Sequence, residues 1–296
     1  MKRRDFLQYT GLTAMALSIS GFKYFNGTTY VGDCETTTDI LGPFYRPESP
    51  LKNNLVIPGL KGEIVEISGV IRRPDCQTVI PDAKIELWHC DPEGVYDNHS
   101  DAFKYRGTTF SDENGKYIFK TQMPIPYDAG NGNIRPAHFH FLFSASGYQD
   151  LITQIYFKGD PHLENDIMAS NPKSELRILN INTENGHNHI LFDCTMKKKL
   201  DLSFNSFRMI TGKYQNVNNN IETIELFEHN KSLWIKNQVF GTRYDYIGKN
   251  KFRLAGLPDD FKNEMEINID EMRNVSVLKT TIAPGRIKET IVYKKI

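Results

Sequence analysis

RPAHFHFLFSA, residues 135–145, sets two histidines in alternation with phenylalanines at the head of an apolar run, the pattern of a strand with both faces in use. Successive side chains of an extended chain point to opposite faces, so His138 and His140 share one face and Phe139 and Phe141 the other. A His-x-His pair on a strand is half of a metal site. On its own it is more often a hydrogen-bonded pair, so any further ligands must come from elsewhere in the chain.

Similar short runs surround it. EIVEISGVI (63–71), AKIELWHC (83–90), GKYIFKT (115–121), ITQIYF (152–157) and HNHILFDC (187–194) are separated by Gly, Pro, Asn and Asp, which predicts antiparallel strands in a sandwich or barrel. DENG (112–115) predicts a hairpin turn, and the Gly- and Pro-rich interval from Pro124 to Pro136 a loop of the kind that carries functional residues. After the basic run Lys197–Lys199 the character changes. A second meander follows, with turns expected at His229-Asn230, Gly248-Lys249-Asn250, Asn274 and Pro284-Gly285. The expected class is all-β: an antiparallel β-sandwich over residues 34–202, then a small antiparallel β-barrel or meander over 203–296. The second part, through GKYQ, SLWIK and NKFRL, resembles the small β-barrel module appended to some serine β-lactamase-like and other exported bacterial proteins, and that resemblance implies a structural or adhesive role.

The 296 residues carry 36 Lys and Arg against 36 Asp and Glu, so no long-range field gathers nucleic acid or anionic lipid. Residues 1–30 read as a targeting segment: Lys2, Arg3 and Arg4 precede a modestly apolar stretch from Leu12 to Phe22, shorter than the roughly 20 residues of a membrane span. Arg3-Arg4-Asp5-Phe6-Leu7 resembles a bacterial twin-arginine export signal, which implies a periplasmic or cell-surface protein exported already folded. An uncleaved N-terminal anchor is the competing reading, since no clean cleavage site follows. Four cysteines, Cys34, Cys76, Cys90 and Cys194, allow three disulfide connectivities, and the sequence selects none.

Two tyrosines complete the chemistry. Tyr96 closes IELWHCDPEGVY (85–96), and Tyr127 lies in the loop just before the histidine strand. Phenolate is a hard anionic ligand and imidazole suits iron, zinc or copper, so two of each favour ferric iron. Here the chain resembles the bacterial intradiol ring-cleavage dioxygenases, on LGPFYRP (41–47), ISGVI (67–71), IELWHCDPEGVY, YRGTTFSDENGKYIFKTQMPIPY (105–127), RPAHFHF (135–141) and LITQIYFKGDP (151–161). The resemblance implies that Tyr96, Tyr127, His138 and His140 bind Fe(III), with Tyr127 the ligand released on substrate binding. It also implies that Arg135 lies against the substrate ring and that Gln154 supports it. One departure is Ile125, where the family usually has glycine; the loop carrying Tyr127 is expected to sit differently there.

The implied reaction cleaves a catechol-type aromatic between its hydroxylated carbons with O2, giving a cis,cis-muconate-type dicarboxylate. The rival from another class is an exported, non-catalytic β-sandwich binding module, and a zinc or copper enzyme is a second. For Arg135 the plainer reading is an ion pair with a surface carboxylate. His89 reads as structural, Tyr117 as a core residue, and His99, His162, His187 and His189 as surface or loop positions. A homo-oligomer and the partner of the C-terminal module are left open.

Overall fold

The computed structural model describes residues 22–25, 30–32, 34–229, 231–236, 241–257, 261–282 and 287–296. The twin-arginine run and nearly all of the apolar stretch behind it lie outside the described residues, as does the expected turn at Pro284-Gly285. Strands β1 (Phe22–Phe25) and β2 (Tyr30–Gly32) pair antiparallel near the N-terminus. Among the described residues no helix is long and apolar enough to cross a membrane.

The catalytic-type region uses β3 (Ile64–Arg72), β4 (Lys84–Trp88), β5 (Arg106–Phe110), β6 (Lys116–Gln122), β7 (Tyr127–Asp128), β8 (Ile134–Arg135), β9 (His138–Ser144), β10 (Leu151–Phe157), β11 (Ile178–Leu179), β12 (Asn182–Glu184), β13 (His187–Leu191) and β14 (Cys194–Thr195). One sheet runs β11-β10-β9-β4-β5; the other runs β12-β13-β3-β14 with β6 also paired to β3. Most ladders are antiparallel. The short pairings β10 with β11, and β13 and β14 with β3, are parallel. The core between the sheets gathers Val65, Ile67, Ile71, Ile85, Leu87, Phe119, Phe139, Phe141, Phe143, Ile155 and Phe157. Each fully buried side chain of this size stabilises by about 1.5–3 kcal/mol, which fixes the register, because a one-residue slip would turn every core group outward.

DENG departs from expectation. Asp112 Oδ1 accepts the Asn114 and Lys116 amides, and Gly115 adopts φ +69°, so the turn forms. Its flanking strands, however, separate: β5 pairs with β4 and β6 with β3, so the turn carries the chain from one sheet to the other. Turn chemistry is local, whereas pairing is set by which sheet can bury Tyr117 and Phe119. Cys34 and Cys76 form a disulfide that ties the segment after β2 to the turn after β3, while Cys90 and Cys194 are buried free thiols.

The sandwich's last strand ends at Thr195. Ser203 caps a helix, Phe204–Ile210, its hydroxyl accepting the Ser206 amide. Eight strands then close an antiparallel barrel, from β15 (Gly212–Asn216) through β16 (Asn219–His229), β17 (Ser232–Lys236), β18 (Gly241–Gly248), β19 (Lys251–Leu254), β20 (Lys262–Ile269) and β21 (Val275–Ile282) to β22 (Glu289–Lys295), which pairs back onto β15. Tyr214, Leu226, Leu233, Tyr244, Phe252, Met265, Val277 and Tyr293 fill it, and Phe207 and Ile210 of the helix pack on the same cluster. Closure removes the exposed edges that an open meander would leave.

Candidate metal centre

β9 is buried along both faces from His138 to Phe143, so its alternation serves two purposes. Phe139, Phe141 and Phe143 enter the sandwich core, and His138 and His140 face the opposite side. His138 Nδ1 lies 2.7 Å from the Pro136 carbonyl, an acceptor only, so the proton sits on Nδ1 and Nε2 keeps its lone pair. That Nε2 lies 3.2 Å from His140 Nε2 and 3.3 Å from Tyr96 Oη.

Tyr96 comes from a turn after β4. Asp91 Oδ1 accepts the Glu93 and Val95 amides, and Gly94 at φ +82° lets the backbone pass so close to the second loop that a Cβ there would stand 3.0 Å from Tyr127 Cβ. Tyr127 is held on the small ribbon β7–β8, in register with Arg135. Its ring meets Tyr96 edge-on at 5.6 Å between centroids and lies 5.7 Å from that of His138. The predicted loop is therefore a two-stranded ribbon, and it brings all four expected donors together. Ile125 does not take a positive φ, so the missing glycine imposes no strain on it.

Burial sets the protonation states. It pushes His138 down to about 3 and His140 well below the usual imidazole range, with Arg135 adding to both shifts, so both rings are neutral and their nitrogens free to bind a cation. The same burial raises both phenols, Tyr96 strongly, so either can be held as phenolate only by a positive charge placed beside it. Aromatic neighbours fix the ligand rings: Phe44 stacks on Tyr96 at 4.3 Å and Trp88 on His140 at 4.9 Å.

Metal–ligand bonds of about 2.1 Å at angles of about 90–110° place neighbouring ligands about 3.0–3.4 Å apart. The two spacings from His138 Nε2, 3.2 Å to His140 and 3.3 Å to Tyr96, match that range, and the two facing imidazole nitrogens have room for at most one proton between them. Among the described residues no group of three His, Cys, Asp or Glu could hold a metal; here tyrosines supply the remaining donors. The residues present fit a hard, highly charged ion.

Behind the donors lies a buried charge network. Arg135 Nε donates to Asp166 at 2.5 Å, and its Nη2 to Gln154 Oε1 at 2.9 Å and Tyr156 Oη at 3.2 Å. Arg135 thus pairs with a carboxylate that is buried, not one at the surface. Gln154 donates onward to the Ile40 carbonyl, Tyr156 to Asp39, and Arg177 Nη1 to Asp39 and the Gln154 carbonyl at 2.6 and 2.7 Å. Asp39, Tyr156, Asp166 and Arg177 were not singled out in the sequence. Asp39 stands just before LGPFYRP and Tyr156 inside LITQIYFKGDP, both recognised stretches, whereas nothing in the sequence pointed to Asp166 or Arg177.

The remaining histidines lie where expected. His89 is buried between the Cys90 carbonyl and Thr121, His99 and His187 are exposed, and His162 and His189 are half-buried. Tyr117 is in the core, its hydroxyl on the Phe192 carbonyl.

The family model described as Dioxygenase matches residues 40–205, more than half of the chain and all four donors. This chain belongs to the intradiol ring-cleavage dioxygenases. It is 34% identical over 159 residues to a catechol 1,2-dioxygenase of Candida albicans, covering 44% of this chain and 50% of that protein. It is 33% identical over 164 residues to a chlorocatechol 1,2-dioxygenase of Rhodococcus opacus, covering 48% and 63%. A hydroxyquinol 1,2-dioxygenase of a Rhizobium strain is 28% identical over 184 residues, covering 55% and 60%. The chain thus spans between half and just under two thirds of the length of these relatives. The catechol 1,2-dioxygenase structure from Pseudomonas arvilla shares the fold, with a TM-score of 0.51 at 21% identity, covering 66% of this chain and 68% of that one.

Proposed function

We propose that this chain is a non-haem Fe(III) intradiol dioxygenase that opens the ring of a catechol-type aromatic with O2 to a cis,cis-muconate-type dicarboxylate. The observation that carries the reading is the convergence of Tyr96 Oη and His140 Nε2 on His138 Nε2, at 3.3 and 3.2 Å, with the Tyr127 ring edge-on to Tyr96. Both oxygen atoms of O2 enter the product and no external reductant is consumed.

Tyr96, Tyr127, His138 and His140 would hold the iron. When bound, ferric iron supplies the positive charge that keeps the phenols ionised and the Lewis acidity that activates a chelated catechol toward O2. The chain's own residues do the rest. Tyr127, the donor that the family resemblance marks for release, would accept a catechol proton on its oxygen, which burial makes more basic. Arg135, fixed by Asp166, Gln154 and Tyr156, lies beside Tyr127 and offers a cation to negative charge developing on the ring. Gln154 positions Arg135 and does not itself reach the donors.

The disulfide Cys34–Cys76 supports export to an oxidising compartment, in keeping with the twin-arginine-like start. The deciding experiment is the visible spectrum of the purified protein, first alone, then with catechol under nitrogen, then under air. A tyrosinate-to-iron band that shifts with catechol and gives way to a muconate-type ultraviolet product is the expected result. A protein that stays colourless after ferric reconstitution would replace this reading with the non-catalytic binding module.

A further inference from the structure

The segment Thr38–Tyr45 crosses the donor cluster without regular secondary structure. In its middle, a Cβ on Gly42 would stand 3.1 Å from His140 Cε1, and Phe44 stacks on Tyr96. Its backbone has few partners of its own: the Asp39 amide on the Ile152 carbonyl at 2.9 Å, the Ile40 amide on the Asp39 side chain, and the Ile40 carbonyl accepting from Gln154 at 2.8 Å. Segments with so few backbone bonds open locally unless something else holds them.

A corner of the C-terminal barrel grips this segment at Thr38 and Asp39. At the first end, Thr38 Oγ1 donates to the Leu257 carbonyl at 3.1 Å. Gly256 sits so tightly that a Cβ there would meet Ile152 Cγ2 at 3.0 Å and the Asp39 carbonyl at 3.1 Å. At the other end, Tyr45 donates to Glu86 of the sandwich at 3.3 Å. Arg243, on β18, pairs with Asp150 of the sandwich at 2.5 Å and with Asp245 at 2.8 Å, and Gln149 donates to Asp245. The Ala255 amide bonds the Arg243 carbonyl, so the corner that holds Thr38 is itself tied to the sandwich through Arg243 and Asp150. Ala255 itself packs on the apolar cluster of Trp88, Tyr96 and Ile152, which Leu41, Phe44 and Tyr127 also join.

We infer that the barrel is a clamp for the donor-covering segment, with Arg243, Gly256 and Leu257 as positioning residues. All three lie beyond residue 205, where the family match ends. Held in place, the segment keeps Phe44 on Tyr96 and keeps Asp39 and the Ile40 carbonyl against Tyr156 and Gln154, two of the groups that hold Arg135. The consequence for turnover rests on the dioxygenase reading; the clamp itself does not.

The test is amide hydrogen exchange on the metal-free full chain, read as the rate over residues 38–45 relative to that over β9. Gly256→Val disturbs the corner at its contact with Asp39, Arg243→Gln unties that corner from Asp150, and Ile221→Ser, at a 94% exposed barrel position, is the control. The clamp predicts that the ratio rises about tenfold or more in at least one of the two variants and is unchanged in the control. A ratio unchanged in both overturns it, including the case where a variant loosens the whole fold evenly. In iron-loaded protein the same variants should keep the visible band and raise KM for catechol about fivefold or more, with a smaller change in kcat. A wild-type chain that turns over no catechol would remove the dioxygenase reading and leave the exchange ratio to decide the clamp.

Discussion

The sandwich and the barrel are built from the same alternating strands, yet they treat buried polarity differently. β10 is buried at every position from Leu151 to Phe157, and three of its residues are Thr153, Gln154 and Tyr156. Around it Asp39, Arg135, Asp166 and Arg177 form a buried set with two charges of each sign. In the barrel interior the tyrosine hydroxyls each end on a single partner, Tyr214 on the Ile210 carbonyl, Tyr244 on Asn263 and Tyr293 on Glu222, and the buried charge Asp245 pairs with Arg243 where the barrel meets the sandwich. Buried ion pairs recover little of their desolvation cost, so a protein keeps them where geometry has to be fixed. The sandwich carries most of that cost behind its donor cluster, and the barrel core is filled by apolar and aromatic groups.

The largest expected effect breaks the sandwich side of this contrast. Tyr96→Phe removes one donor and should abolish most of the visible absorption and lower turnover by more than about 100-fold, since outer-sphere partners alone are worth 10–100-fold. An unchanged spectrum would take Tyr96 out of the ligand set. Asp39→Asn leaves the Arg177 guanidinium buried without its carboxylate and should cost about 3–5 kcal/mol in urea unfolding. A cost below about 1 kcal/mol would show that the network does not depend on its charges.

Leu233→Ala tests the other side. It empties a fully buried barrel position and should cost about 2–5 kcal/mol of stability while leaving the visible spectrum of the folded protein unchanged. A spectral shift would mean that the barrel interior itself is coupled to the donors.

The smallest effect concerns pH. Burial holds His89 at about 3, far below its ordinary 6.5. Between those values the unfolded chain takes up a proton that the native state refuses, so stability is full above pH 6.5 and is lost as pH falls toward 3, by about 1.4 kcal/mol per unit. In metal-free protein, His89→Gln should flatten the change in unfolding free energy between pH 6.5 and 5.5 by about one proton's worth. An unaltered slope would place the proton uptake elsewhere, with His138 as the next group to test.

Local pattern made much of this legible from the sequence. The period of two in HFHF put His138 and His140 on one face and the phenylalanines in the core, and runs such as EIVEISGVI and GKYIFKT are strands because one face of each is apolar. Tyr96 and Tyr127 came from resemblance to a family, since nothing in their spacing alone says that two loops 31 residues apart meet. The tertiary structure decided the rest. It parted the strands beside DENG into different sheets and chose Cys34–Cys76 among the possible disulfides. It also brought Asp39, Gln154, Asp166 and Arg177 behind Arg135, and set the barrel corner at Gly256 against Asp39, 217 residues away in the chain. The reason is one of range: side-chain alternation and turn chemistry act over a few residues and can be read from them, whereas a buried charge finds its partner only once the packed sheets have excluded water.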